Sequence, residues 1–247
     1  MAKIVDLTLP IQEGMAQHPA HGRTPLFMSG TRNHELDKGL EIINPYDDSD
    51  VTSFENENII VCGHTGTHMD SCYHFDPESE LTIEKMPIDC GFGPAIWLDV
   101  SGNFGSSIGI TAKNLQDAES KSGASIQAND IVLIYTGWST IKDPKKYSFE
   151  FMGLTKDASE WLREKSVKTV GIDTPNVDVP SAVDFPVHIN FLRPRSLGLN
   201  NNDYIAIIEN LVNINHIPRP RFLFSGAPIP YVGQTGGQIR ALAYIES

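Results

Sequence analysis

Apolar and polar positions along this chain mark out short strands more often than helices. Ile4–Leu9 alternates apolar and polar residues until Pro10 stops it, the period-two pattern of a half-buried strand. Ala95–Val100, Ile131–Tyr135, Thr169–Ile172, Tyr204–Ile208, Arg221–Ser225 and Gln238–Ile245 are similar runs, and Ile59–Cys62 is a short apolar run before Gly63. Gly, Pro, Asn or Asp flank them, residues that turn a chain. Helical spacing is rarer. Thr111–Ser122 carries apolar residues at 112, 115 and 118, and Thr155–Lys165 carries Ala158, Trp161 and Leu162. A Thr opens each as an N-cap. Leu81–Met86 reads as a single turn of helix.

The expectation is a mixed α/β chain folded as one domain over residues 1–247. Strands outnumber helices and do not alternate with them regularly, which argues against a doubly wound sheet or an eight-fold barrel. Residues 17–58 hold little regular pattern and read as an irregular lid or oligomer-contact segment. Asn200–Asp203 reads as a turn, and Gly233–Gly237 as a loop with its turn at Gly236-Gly237.

Charge changes the picture in one respect. Lys and Arg number 19 against 31 Asp and Glu, a net charge of −12, and there is no basic stripe. Phosphate backbones need one, so nucleic acid is excluded as an expected partner. No apolar run is long enough to span a bilayer, and the first residues carry no basic-then-apolar leader. Three sparse cysteines make no disulfide framework and suit a reducing cytoplasm.

The densest chemistry is His64-Thr65-Gly66-Thr67-His68-Met69-Asp70-Ser71-Cys72-Tyr73-His74, which gathers three of the eight histidines. Imidazole and carboxylate are ligands for divalent transition metals. The even positions share one face of an extended segment. Four extended residues span roughly 13 Å, too far for both ends to hold one ion, so the chain should bend, and Gly66 is the natural hinge. The Thr hydroxyls read either as turn formers or as partners that orient metal ligands. Cys72 reads best as a small buried side chain.

That string resembles the His-x-Gly-Thr-His-x-Asp-x-Pro-x-His signature of the cyclase-type metal-dependent hydrolases. The family includes bacterial kynurenine formamidase, isatin hydrolase and some lactone hydrolases. Asp6-Leu7-Thr8-Leu9-Pro10, Tyr135-Thr136-Gly137-Trp138, Gly171-Ile172-Asp173-Thr174-Pro175 and Ile207-Ile208-Glu209-Asn210-Leu211 are similar to further family segments. Cys72 departs from the usual Pro. The resemblance implies a mixed, β-barrel-like sheet with flanking helices. It implies that His64, His68 and Asp70 hold one divalent ion, Mn or Zn, and that His188 and Glu209 help hold a second where there is one. An insertion between those two residues leaves the second ion open, and Glu209 reads alternatively as a structural residue.

His74 is the expected general base and acid, since imidazole titrates near neutrality, and Glu209 is placed with it among the catalytic groups. The implied reaction is hydrolysis of a small cyclic or aryl amide by metal-activated water. A lactone hydrolase, a non-catalytic metal-binding protein and a ring-forming cyclase are the rivals. Tyr73, Phe75 and Trp97 are the expected substrate-binding aromatics. The Arg193/Arg195 pair reads as solvated surface before it reads as a carboxylate clamp. The implied assembly is a homodimer or homotetramer.

Overall fold

The computed structural model describes residues 3–21, 26–29, 57–103 and 109–246. The strands are β1 Lys3–Asp6, β2 Leu26–Ser29, β3 Glu57–Ile60, β4 His68–Asp70, β5 Phe92–Asp99, β6 Ile131–Tyr135, β7 Thr169–Ile172, β8 Ala206–Glu209, β9 Arg221–Ser225, β10 Gly236–Gln238 and β11 Leu242–Ile245. Helices α1 Ala112–Ser122, α2 Pro144–Phe149, α3 Lys156–Glu164 and α4 Pro186–Leu192 lie among them. Nine strands form one sheet in the order β1-β11-β9-β5-β6-β7-β8-β4-β10, while β2 and β3 pair separately. The nine-stranded sheet is mixed and curls into a half-barrel, as expected.

The centre of the sheet is parallel. Strands β5, β6, β7 and β8 run side by side, and each crossover between them carries a helix. Regular alternation therefore does exist between residues 92 and 209. The sequence pattern hides it because α2 and α4 are short and α4 is apolar nearly all round. Helices α1, α3 and α4 nonetheless pack on one face. Val132, Ile134, Val170, Ile172 and Ile207 point into a core with Leu115, Leu162, Val187 and Phe191 from the helices. Ile131, Leu133 and Ile208 point the other way, into a second core with Met69, Phe224 and Ala243 from the antiparallel strands. Strand β6 is buried at every position, the all-apolar reading of a parallel strand covered on both faces.

The local signals explain where elements start. Thr111 caps α1 in a capping box with Asn114 and Gly123 ends it in the left-handed conformation. Thr155 precedes α3 but makes no side-chain cap; its hydroxyl donates to Ile110 O at 2.9 Å instead. The residues between 200 and 203 form the expected turn, with Asp203 N donating to Asn200 O.

Two expectations change. The Gln238–Ile245 run splits into β10 and β11, which pair with different neighbours. Gly236-Gly237 is not a turn but the first two residues of β10, and the turn falls earlier, where Gln234 N donates to Tyr231 O and Gly233 has φ +76°. Most of the irregular 17–58 segment lies outside the described residues; of its described parts, Leu26–Ser29 is a strand paired to Glu57–Ile60.

Candidate metal centre

Strand β4 carries the centre of the motif. Its period of two sends Met69 into the core and His68 and Asp70 to the opposite face. Gly66 bends the chain just before it, at φ +67°, a conformation open to glycine at little cost. A Cβ there would lie 3.0 Å from Ile11 Cγ1. The bend turns His64 back over β4. Space for that ring comes from Gly236 of β10, opposite Asp70, where a Cβ would sit 2.6 Å from His64 Cε1. On the other side β8 pairs with β4 so that His68 faces Glu209. The Thr67 hydroxyl donates to Asn210 O at 2.6 Å and accepts from Leu9 N at 2.7 Å, so it staples the motif to β8 through backbone.

Helix α4 supplies the remaining imidazole. Pro186 sits in its first turn, and Phe185 caps it in the left-handed region at φ 47° and ψ 55°. For a bulky residue that is strained backbone, the kind that persists at functional sites. Asp178 fixes the helix and its histidine together. It accepts from Val187 N at 2.7 Å, His188 N at 3.1 Å and His188 Nδ1 at 2.6 Å. With Nδ1 held this way, His188 Nε2 faces Asp70 Oδ2 at 3.5 Å and Glu209 Oε1 at 3.6 Å.

The chain thus brings His64, His68, Asp70, His188 and Glu209 together, all buried. His64 Nδ1 lies 2.7 Å from Asp70 Oδ1, and His68 Nε2 lies 3.3 Å from that same oxygen and 3.6 Å from Glu209 Oε2. The insertion between His188 and Glu209 does not separate them. Two sets of three donors, His64–Asp70–His74 and His68–Asp70–Glu209, have ligating atoms within 4.8 Å of one another, and both use Asp70.

The polar accounting fits a bound cation. Both Asp70 oxygens, His64 Nδ1 and His68 Nε2 are buried with no aligned hydrogen-bond partner, even where an ion-pair distance is short. Such groups are costly unless something satisfies them. Their other ring nitrogens are engaged, His68 Nδ1 with Gly66 O at 2.9 Å and His64 Nε2 with Thr235 Oγ1 at 2.9 Å. A ligating imidazole is oriented in this way through its far nitrogen. Burial and the charge of Asp70 raise the Glu209 carboxyl well above its ordinary range. Asp70 is held well below its own range, because the imidazoles around it outweigh its burial. Two carboxylates packed among imidazoles are an oxygen-and-nitrogen donor set suited to Zn or Mn.

His74 closes one side of the cluster. It lies on the turn Cys72–His74, with its ring 4.2 Å from that of His64. Unlike the other three cluster histidines, it has no ion-pair contact with a carboxylate among those described. Burial lowers its pKa to about 4, so the ring is neutral near pH 7. Cys72 packs in the core, as expected of a small apolar side chain, and burial pushes its thiol up to about 12.

The expected aromatics divide. Phe75 stacks on His188, with centroids 4.4 Å apart. Tyr73 is on the Cys72–His74 turn with its side chain partly exposed. Trp97 is not brought to the cluster. It stands on β5, separated from β8 by two strands, its Nε1–H donates to Arg219 O, and it lines a separate cavity with Lys121 and Pro218. Arg195 is tied to Asp76 at 2.8 Å and Glu78 at 2.7 Å.

Three site residues escape the sequence reading. Asp178 gives no signal in one dimension. His18 and His21, three apart across the turn at Pro19–His21, carry a signal only in their spacing. The His21 ring lies 5.4 Å from that of His64 and 6.0 Å from that of His68.

A curled mixed sheet with a buried His/Asp/Glu cluster at one end is the setting in which the chain meets its relatives. The family model described as "Putative cyclase" matches residues 5–179, and the chain belongs to that family. A kynurenine formamidase of Geobacillus thermodenitrificans is 27% identical over 183 residues, covering 74% of this chain and 77% of that protein. The solved structure of a predicted metal-dependent hydrolase from Bacillus stearothermophilus superposes with a TM-score of 0.71 at 25% identity, over 99% of this chain and 98% of that one. An isatin hydrolase bound to the product analogue thioisatinate superposes at 0.77 with 20% identity, over 100% and 93%, and shares the fold. No helix among the described residues is long and apolar enough to cross a membrane.

Proposed function

We propose that this chain is a metal-dependent hydrolase that opens a small cyclic or aryl amide with water. The observation that carries the reading is the convergence of buried, unsatisfied atoms of His64, His68 and Asp70 with the buried His188 Nε2 and Glu209 carboxyl. The names of its relatives, kynurenine formamidase and isatin hydrolase, support amides as the substrate class.

His64, His68 and Asp70 hold one divalent ion in this reading, and Asp70, His188 and Glu209 a second. A bound divalent ion lowers the pKa of water towards about 7 and polarises a carbonyl. The donor set suits Zn and Mn alike. His74 is neutral near pH 7 and, among the described residues, makes no ion pair with a carboxylate, though it stands near Asp70; in this reading it takes the proton from the attacking water. The carbonyl carbon gains a bond to oxygen and loses its bond to nitrogen, and His74 Nε2 or Nδ1 returns the proton to the departing amine. Phe75, stacked on His188, keeps bulk water from that side of the cluster. Tyr73, partly exposed beside His74, contacts the substrate in this reading. The chain is taken to act as a homodimer or homotetramer in the cytoplasm, which sedimentation and fractionation test.

The functional test is hydrolysis of N-formylkynurenine, isatin and a simple lactone, with and without chelator and with Mn or Zn restored. Chelator-sensitive turnover of an amide is the expected result. Turnover of the lactone alone would move the assignment to lactones, and chelator-resistant turnover would remove the metal from the reaction.

A further inference from the structure

The insertion after His188 is tied to the turn that carries His74. At the end of α4 the Arg193 N–H donates to Ile189 O, and the chain runs straight into the turn Pro194–Leu197, where the Ser196 N–H donates to Arg193 O at 3.0 Å. From that turn Arg195 Nε lies 2.8 Å from Asp76 Oδ2, and Arg195 Nη1 donates to Glu78 Oε2 at 2.7 Å. Asp76 stands two residues after His74 and is only 2% exposed. Its backbone is locked to the same turn: the His74 N–H donates to Ser71 O, and those of Phe75 and Asp76 both donate to Cys72 O. A buried carboxylate needs a compensating charge, and Arg195 is the one cation paired with Asp76 among the described residues. Glu78 is exposed, so its share of the contact is small.

The other imidazoles of the cluster have anchors of their own. His64 is held through Thr235, His68 through Gly66 and His188 through Asp178. The His74 ring has no such hydrogen bond among the described residues; it rests 4.2 Å from the ring of His64 and 5.9 Å from that of His188. Its place therefore depends on where its turn is held. We infer that Arg195 is a positioning residue: through its ion pair with Asp76 it clamps the Cys72–His74 turn to the end of α4, and so sets where the His74 ring stands over the cluster. Phe75, stacked on His188, is the apolar half of the same junction. The clamp is a feature of this chain's own insertion, which lies beyond the residues 5–179 that the family model matches. The inference rests on the proposed hydrolase reading, in which His74 moves the proton. A displacement of about 1 Å in such a group can lower a rate about 100-fold.

The test separates placement from stability. Arg195→Ala leaves Asp76 buried and unpaired, so melting temperature and kcat should fall together. Arg195→Met combined with Asp76→Asn removes both charges, and the melting temperature should return towards that of the unsubstituted protein. The clamp is still missing in that double variant. Its kcat for N-formylkynurenine should stay about tenfold or more below the unsubstituted value, with KM and Zn affinity held within about twofold. Arg195→Lys keeps the charge but not the planar fork and should recover part of kcat. In the metal-free proteins the imidazole NMR signals of His74 should shift in the double variant, while those of His64 and His68 stay. Recovery of kcat together with melting temperature in the double variant, or unmoved His74 signals, would overturn the inference and leave the pair a structural one. A loss of Zn affinity that matches the loss of kcat would overturn it as well. Chelator-sensitive amide turnover untouched by the double variant would sink the clamp alone. Shifted His74 signals in a protein that hydrolyses no amide would retain the clamp and sink the hydrolase reading.

Discussion

Asp178→Asn is the substitution whose consequence the geometry fixes most closely. The carboxylate accepts three N–H groups, two of them from His188. An asparagine that keeps its oxygen towards Val187 N turns its NH2 group towards His188. Donor then meets donor at both remaining contacts. The ring escapes by making Nδ1 the acceptor, which moves its proton to Nε2. That nitrogen is the one facing Asp70 and Glu209, and a protonated Nε2 cannot ligate. Losing such an orienting partner typically weakens metal binding about 10- to 100-fold, or about 1.4 to 2.8 kcal/mol. The low end of that range is close to one charge-assisted hydrogen bond of about 1.5 to 3 kcal/mol. The assay is competition of the apo protein against a fluorescent chelator with Zn or Mn, with thermal melting to confirm the fold. One class of bound ion should weaken by that factor while the ion held by His64 and His68 is retained. Unchanged affinity for every ion would refute the reasoning, because His188 would then have no part in coordination.

Other perturbations separate the roles. His74→Ala should keep metal and lose most turnover, about 100-fold or more for a missing general base, whereas His68→Ala should lose both; metal analysis and initial rates read these out, and metal loss from His74→Ala would make His74 a ligand. Gly236→Ala puts a Cβ 2.6 Å from His64 Cε1, so His64 must move, and metal affinity should drop with little change in the sheet's circular dichroism. In the metal-free protein burial opposes charge on His188, but its carboxylate neighbours outweigh that and raise its pKa to about 10 from an ordinary 6.5. A raised histidine contributes stability that is complete below its unfolded pKa and lost as pH rises through the folded one. The melting temperature of the metal-free protein should therefore fall between about pH 6.5 and about pH 10, and the metal-loaded protein, whose ligating His188 is already neutral, should not show that fall.

What was legible in the sequence was what a local pattern carries. Ile131–Tyr135 and Thr169–Ile172 are strands with the predicted bounds, because buried parallel strands are continuous apolar runs between polar breaks. The bend at Gly66 followed from the reach of an extended chain. Helix α4 was missed for a physical reason. Val187-His188-Ile189-Asn190-Phe191-Leu192 is buried at most positions, so it has no polar face to give a 3.6-residue rhythm. His188 could be named from resemblance, but Asp178 could not, since its role exists only where the chain returns on itself ten residues later. That Trp97 lies away from the cluster was not legible, because an aromatic on a strand has no label for which cavity it faces. Gly236-Gly237 looked like a turn because glycine pairs usually are; here the missing Cβ makes room for His64 inside a strand.

The central claim is that the cluster around Asp70 binds a divalent ion. The most direct test is elemental analysis of protein purified without chelator and reconstituted with Zn or Mn, beside Asp70→Ala handled identically. The account predicts at least one ion per chain in the unsubstituted protein and loss of it in the variant, since Asp70 belongs to both donor sets. Metal-free protein under replete conditions, or full occupancy without Asp70, would contradict it.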